Sequence, residues 1–367
     1  MDTSAEKFSE ILKLHNLDPQ LAENLSSRGF HIGYIKNKDG EIEYTLPLPN
    51  GRGVNSLEDW GQAQPARITP SRRRPVQRDH DVLFVFSDAQ IDYRRLPDGT
   101  LRSLHDERAM QVARMICKDV QPDEIINLGD TVDLTALSRF DPDSDHFYRT
   151  LGPAFQRVHD FYAELRADNP NAKITEVDSN HNTRLKKFIG KFAMTLSGIQ
   201  QPSGTSKYPV LSYPYLTNLE HIGVDWVSGY GGAEYVYGED KTTPPIVFKH
   251  GEITSSSSVA TRESYKNPDT HIVRGHSHSI EFAMRTNRAG AYLASVVVGT
   301  LCRITGEVPS YHSSVDDLGY PVKHYENWQQ GVMVIEDFNG QYQFNHIPIN
   351  NGIAFYNGKV YNSDGEQ

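Results

Sequence analysis

Five short apolar runs, each broken at once by a cluster of Asp, Asn, Gln or His, constrain this 367-residue chain more than any other feature. Val82 to Phe86 is followed by Ser87-Asp88-Ala89-Gln90, and Ile125 to Leu128 by Gly129-Asp130-Thr131-Val132-Asp133. Lys173 to Val177 runs into Asp178-Ser179-Asn180-His181-Asn182, and Ile246 to Phe248 into Lys249-His250-Gly251. His271 to Val273 ends in Arg274-Gly275-His276-Ser277-His278. The runs have the length and β-branched content of buried strands. Helical stretches, Asp106 to Lys118 and Ala154 to Leu165, separate the first three. Strands alternating with helices argue an α/β layered fold. In open α/β sheets the strand C-termini converge on one rim, where ligands bind.

Those residue types point to metal chemistry. Imidazole and carboxylate together suit borderline divalent ions such as Mn, Fe, Zn or Ni. A structural zinc site favours thiolate, and no cysteine lies near these clusters. Phosphoester cleavage explains the mixture. Two cations hold phosphate oxygens, lower the pKa of a water between them and stabilise developing charge. A carboxylate bridges the cations, neutral His and Asn fill the other positions, and a His that binds no metal protonates the leaving oxygen.

The set resembles the calcineurin-like metallophosphoesterase family, whose pattern is Asp-x-His, Gly-Asp-x-x-Asp, Gly-Asn-His-Asp/Glu, a lone His usually followed by Gly, and Gly-His-x-His. The likeness covers about residues 81 to 285. Asn327-Trp328-Gln329-Gln330-Gly331, Gly358-Lys359-Val360-Tyr361 and an Asp-x-Gln first motif look like bacteriophage- and prophage-encoded members. The resemblance implies an αββα sandwich of two mixed sheets flanked by helices, and a pair of divalent ions, Mn first, with Fe, Zn, Ni or Mg as alternatives. It implies Asp88, Gln90 and His278 on the first metal, Asp130 as the bridge, and Asn180, His250 and His276 on the second. His181 would be the general acid, with Asp133 orienting it. Three positions depart from the pattern. Gln90 stands for His and offers a neutral, weaker amide oxygen. Ser179 replaces Gly at a tight loop, which costs backbone freedom. Asn182 replaces an acidic residue.

The expected function is hydrolysis of a phosphomonoester or phosphodiester, with a nucleotide or nucleic acid as substrate. The alternatives are a repair-type nuclease and a catalytically weak metal-binding adaptor or scaffold. Arg184, one short turn past His181, is placed to clamp a phosphate. Lys186, Lys187 and Lys191 follow it, with a solvated helix face as the plainer role. His105, at the start of a helix, is a second candidate for substrate contact. The Tyr- and Gly-rich stretch 226–240 reads as a strand pair with packed tyrosines, or as a loop of stacking rings. His312 and His324 fall outside the motif set.

Before residue 81 the pattern differs. Residues 1–50 read as a small α+β unit: helical spacing at Phe8, Ile11 and Leu12 and at Leu21 and Leu25, then a hairpin around Asp39-Gly40. Helix, helix, hairpin suggests a clipped winged helix, yet five basic residues face eight acidic ones, which favours packing or oligomer contact over DNA. Residues 51–80, rich in Gly and Pro with Arg72-Arg73-Arg74, read as a linker, and 81–367 as the metal-binding domain. The net charge of −10 argues against broad nucleic-acid binding but leaves room for a local basic groove. No apolar run approaches a membrane span, the N-terminus lacks a signal-like stretch, and Cys117 and Cys302 read as reduced thiols. These features predict a cytoplasmic protein, in a bacterial host if phage-encoded.

Overall fold

The computed structural model describes residues 33–36, 42–45, 62–71, 76–96, 98–138, 147, 149–202, 204–254, 258–306 and 327–365. The chain forms two compact units, one of Met1–Gly61 with Leu96–Leu101, the other of Gln62–Arg95 with Arg102–Gln367. In the first, β1 (Gly33–Lys36) and β2 (Ile42–Thr45) pair antiparallel, giving the expected hairpin. The two helices expected before it, and the Arg72-Arg73-Arg74 run, lie outside the described residues. So do His312 and His324.

The larger unit opens earlier than the expected linker boundary. Gln62 to Ser71 is anchored to it: Ala63 N–H donates to Leu216 O, Ala66 N–H to His159 Nε2 and Ser71 N–H to Ala167 O. These bonds satisfy backbone groups that a free linker leaves to water.

Its strands are β3 (Asp81–Phe86), β4 (Tyr93–Arg95), β5 (Leu101–Ser103, which starts in the smaller unit), β6 (Glu124–Asn127), β7 (Lys173–Val177) and β8 (Val224–Val227). They continue with β9 (Glu234–Tyr237), β10 (Ile246–Lys249), β11 (His271–Arg274), β12 (Ile280–Thr286) and β13 (Tyr292–Val298). The last are β14 (Gly331–Phe338), β15 (Gln341–Pro348), β16 (Ile353–Tyr356) and β17 (Lys359–Asn362). The helices are α1 (Glu107–Val120), α2 (Leu151–Asp168), α3 (Thr183–Phe192), α4 (Tyr213–Leu216), α5 (Leu219–Ile222) and α6 (Val259–Lys266).

Two mixed sheets result. One has the order β15-β14-β3-β6-β7-β8, with β3, β6, β7 and β8 parallel and β14 antiparallel to β3. The other has the order β12-β13-β11-β10-β9, with β10, β11 and β13 parallel. Strand alternation builds the layers. Val82, Phe84 and Phe86 pack towards α1 and α2 in one core, while Leu83 and Val85 face Phe248, Val273 and Val296 of the other sheet in a second. Each such buried side chain contributes about 1.5–3 kcal/mol over its exposed state. Val259 and Ala260 of α6 cover Val297 on the far face of the second sheet. The fold is therefore the αββα sandwich expected. Asp106 caps α1 by accepting from the Arg108 and Ala109 N–H groups, so that helix starts where the chain leaves the rim.

Candidate metal centre

The five polar clusters meet at the C-terminal ends of β3, β6, β7, β10 and β11. Their backbones are bent to do so. Asp88, Gln90, Asp130, His276 and His278 all have positive φ, between 45° and 73°. Left-handed conformations cost a non-glycine residue about 1–3 kcal/mol each and persist where the surroundings over-determine them. This strain falls on five of the seven expected ligand residues. The Asp88 and Asp130 loops are tied together, with Asp88 N–H donating to Gly129 O and Gln90 N–H to Asp130 O.

Two groups of donor atoms form. In one, His250 Nε2 lies 2.8 Å from Asn180 Oδ1, 3.1 Å from His276 Nδ1 and 3.2 Å from Asp130 Oδ2. His250 Nδ1 faces the Leu128 carbonyl at 2.8 Å, and a carbonyl only accepts, so Nδ1 carries the hydrogen and Nε2 turns its lone pair inward. In the other, His278 Nε2 is 3.1 Å from both Asp88 Oδ1 and Gln90 Nε2. Asp88 Oδ2 also accepts from the His276 N–H and the Ser87 hydroxyl.

The donor set fits divalent cations. Carboxylate, amide and imidazole acceptors crowd together with too few hydrogens between them. Gln90 Oε1 is buried without a hydrogen-bond partner among the described residues, a costly state for an amide oxygen unless a cation satisfies it, and turning the amide end for end would bring that oxygen to His278. The electrostatics agree. Burial alone would raise Asp130, but His181 and His250 beside it hold its carboxyl well below the usual range. Burial, then His250, pushes His276 down to about 3, leaving a neutral ring at ordinary pH. His250 runs the other way: burial opposes its charge, yet the Asp130 carboxylate outweighs it and raises that imidazole, so a proton competes with a cation for Nε2.

Beside these groups sits His181, its Nδ1 2.7 Å from Asp133 Oδ1 and its Nε2 3.7 Å from Asp130 Oδ2. Its N–H donates to Asp130 Oδ1. Arg184 also reaches this point: Nη1 donates to the Asp133 carbonyl at 2.7 Å, and Nη2 lies 2.9 Å from His181 Nε2. The structure thus gathers Asp88, Gln90, Asp130, Asp133, Asn180, His181, Arg184, His250, His276 and His278. It does not bring His105 there. That ring is fully buried, with Nδ1 3.1 Å from the Asp92 carbonyl and Nε2 2.7 Å from Glu107, whose carboxylate pairs with Arg157. Both of its nitrogens are engaged inside the fold.

The departures from the motif have local compensations. Ser179 does not take a positive φ, so Gly is not needed there, and its hydroxyl accepts from the Asp130 N–H. Asn182 donates to Glu176, a carboxyl that burial pushes up to about 7. Two motif glycines are required by space. A Cβ on Gly275 would lie 2.0 Å from Ser87 Oγ and 2.6 Å from Asp88 Oδ2, and one on Gly251, at φ +90°, 2.4 Å from the Arg274 guanidinium.

Some neighbours escaped sequence reasoning. Asp92, buried and near Asp133, is pushed up to about 7 by burial and by that charge. It continues the alternation Asp88, Gln90, Asp92, the one available signal. Trp328 packs edge-on against His278 at 4.2 Å between ring centroids. In the stretch 226–240 the expected strand pair does not form: β8 edges one sheet and β9 the other, Tyr235 and Tyr237 of β9 bond to Glu124 and Asp337, and Tyr230 lies against His250. A cavity of about 180 Å³ opens there, lined by Asp178, Tyr230 and His250 among others. A larger one, about 660 Å³, lies at the opposite ends of β3 and β6 beside Asp81 and Asp123 and holds none of these residues.

No family model matches the chain. The gene 54 protein of Mycobacterium phage D29 is 22% identical over 291 residues, covering 76% of this chain and 98% of that protein. Among solved structures, Vps29 complexed with zinc from Entamoeba histolytica aligns over 76% of this chain and 96% of its own at 12% identity and a TM-score of 0.36. A Streptococcus pneumoniae protein described as a predicted phosphoesterase aligns over 77% and 95% at 10% identity and a TM-score of 0.28. A dimetal phosphatase from Danio rerio aligns over 72% and 98% at 10% identity and a TM-score of 0.31. Among the described residues no helix is long and apolar enough to cross a membrane. Cys117 and Cys302 are both buried and free.

Proposed function

We propose that the chain hydrolyses a phosphoester at a pair of divalent cations, Mn first among them. The observation that carries this is the convergence of Asp130, Asn180 and His276 on His250 Nε2 within about hydrogen-bond distance, with Asp88 and Gln90 gathered on His278 Nε2 next to them. Asp88, Gln90 and His278 would hold one cation, Asn180, His250 and His276 the other, and Asp130 both. When bound, the cations supply the positive charge that neutralises phosphate and makes water nucleophilic near neutral pH.

The remaining steps belong to side chains. Asp133, fully buried, fixes the His181 ring through Nδ1 and leaves Nε2 facing the centre. Nε2 would deliver a proton to the departing oxygen. In the structure that nitrogen is covered by the Arg184 guanidinium. A substrate phosphate accepting from Arg184 would draw the guanidinium away and free the Nε2 lone pair, which would take up a proton from water and pass it to the departing oxygen. The test is turnover of bis-p-nitrophenyl phosphate and p-nitrophenyl phosphate by metal-stripped protein with Mn, Ni, Zn or Mg restored. Turnover that depends on metal supports the proposal; none with any metal, in protein that still binds metal, favours a metal-stabilised scaffold instead.

A further inference from the structure

The chain is acidic overall, with a net charge of −10, but the stretch that starts at the candidate centre is not. From Ser179 to Leu219 it carries five Lys or Arg and no Asp or Glu. This segment starts at the candidate centre and continues through α3. Leu185 and Ile189 bury one face of that helix, and Lys186, Lys187 and Lys191 stand exposed on the rest. Large apolar side chains are exposed among them, from Phe188 at 42% and Phe192 at 65% to Met194 at 72%, with Leu196 and Ile199 beyond. The rings of Phe188 and Phe192 lie 4.9 Å apart, one helical turn from each other.

The surface is continuous with the centre. Arg184 at the start of α3 touches His181 and Asp133. The Lys187 ammonium lies 5.9 Å from the Tyr230 ring, and that ring lies 6.0 Å from His250.

We propose that α3 and the segment after it, to Ile199, form a platform that holds single-stranded nucleic acid and feeds its phosphodiesters to the centre. This rests on the phosphoester hydrolysis proposed above and names its substrate class. The charge of this strip is complementary to a polyanion, against the chain's net charge of −10. Open aromatic faces between cations suit bases that stack on a protein, and a duplex keeps its base faces hidden. A small phosphoester needs neither.

The test measures binding of a fluorescein-labelled oligothymidylate of about 16 nucleotides to the metal-loaded full chain by anisotropy at several salt concentrations. The doubly substituted Phe188→Ala, Phe192→Ala protein is expected to bind roughly tenfold more weakly or worse. Substituting Lys186, Lys187 and Lys191 by Ala is expected to reduce the slope of log affinity against log salt by about two, since each phosphate contact contributes about 0.7. All five side chains are exposed, so unchanged melting and retained turnover of bis-p-nitrophenyl phosphate are expected in both proteins. Affinity unchanged in both, or no binding by the unsubstituted chain, overturns the platform. So does a dimer that the Phe substitutions disperse, or patch-dependent binding to anionic phospholipid vesicles, when neither is accompanied by oligonucleotide binding. Patch-dependent strand binding without turnover of the small diester keeps the platform and removes the hydrolase; turnover without strand binding does the reverse.

Discussion

Replacing Asp130 by Asn keeps its shape and removes its charge. The carboxylate faces both His181 and His250, so loss of metal binding and of turnover is expected together. Gln90→His is the opposite change: an imidazole in place of the unsatisfied amide oxygen is expected to tighten the first metal, read by metal titration, and unchanged affinity would place Gln90 outside the ligand set. His181→Asn separates acid from metal. Its kcat is expected to fall about 10²–10⁴-fold for esters with poor leaving groups and far less for p-nitrophenyl esters, which need little protonation. An equal loss on both would assign His181 another role. Most of these residues were legible in the sequence because each follows an apolar run directly. His105 is placed apart from them because a position at the head of a helix says nothing about where a ring points. Asp106 took the cap, and His105 turned inward to Asp92 and Glu107.

At the scale of elements, the strand ends are set by glycine as much as by ligands. Gly275→Ala forces a methyl group against Ser87 and Asp88. Overpacking of this kind costs about 1–3 kcal/mol, and here it also displaces a ligand, so lower melting with weakened metal binding is expected. β11 carries a second device. His271 accepts the Ala294 N–H through Nδ1, and burial pushes it down to about 4. Its ordinary value is 6.5, so between pH 6.5 and 4 the unfolded chain binds more protons than the folded one, and stability falls as pH drops through that window. His271→Asn, which keeps an acceptor and cannot titrate, is expected to flatten this part of the stability–pH curve in chemical denaturation. A slope equal to that of the unsubstituted chain would show that other groups set the acid limb.

For the whole molecule, alternation of strands and helices made the layered fold legible, and the order of the strands was not. β14 pairs with β3 from some 250 residues away, Met333 opposite Val85 and Val334 opposite Phe84. Long-range register of this kind depends on packing between sheets that local patterns do not encode. Trp328 was quoted in the sequence only as part of a motif, because its contact with His278 likewise joins distant segments. The measurement that tests the metal centre most directly is titration of metal-stripped protein with Mn, followed by calorimetry and by turnover of bis-p-nitrophenyl phosphate in the same samples, with Asp130→Asn beside it. The expected result is two ions bound per chain, turnover that appears as the second site fills, and loss of both in Asp130→Asn. Turnover at full rate in the substituted protein, or with no metal bound, would contradict the account.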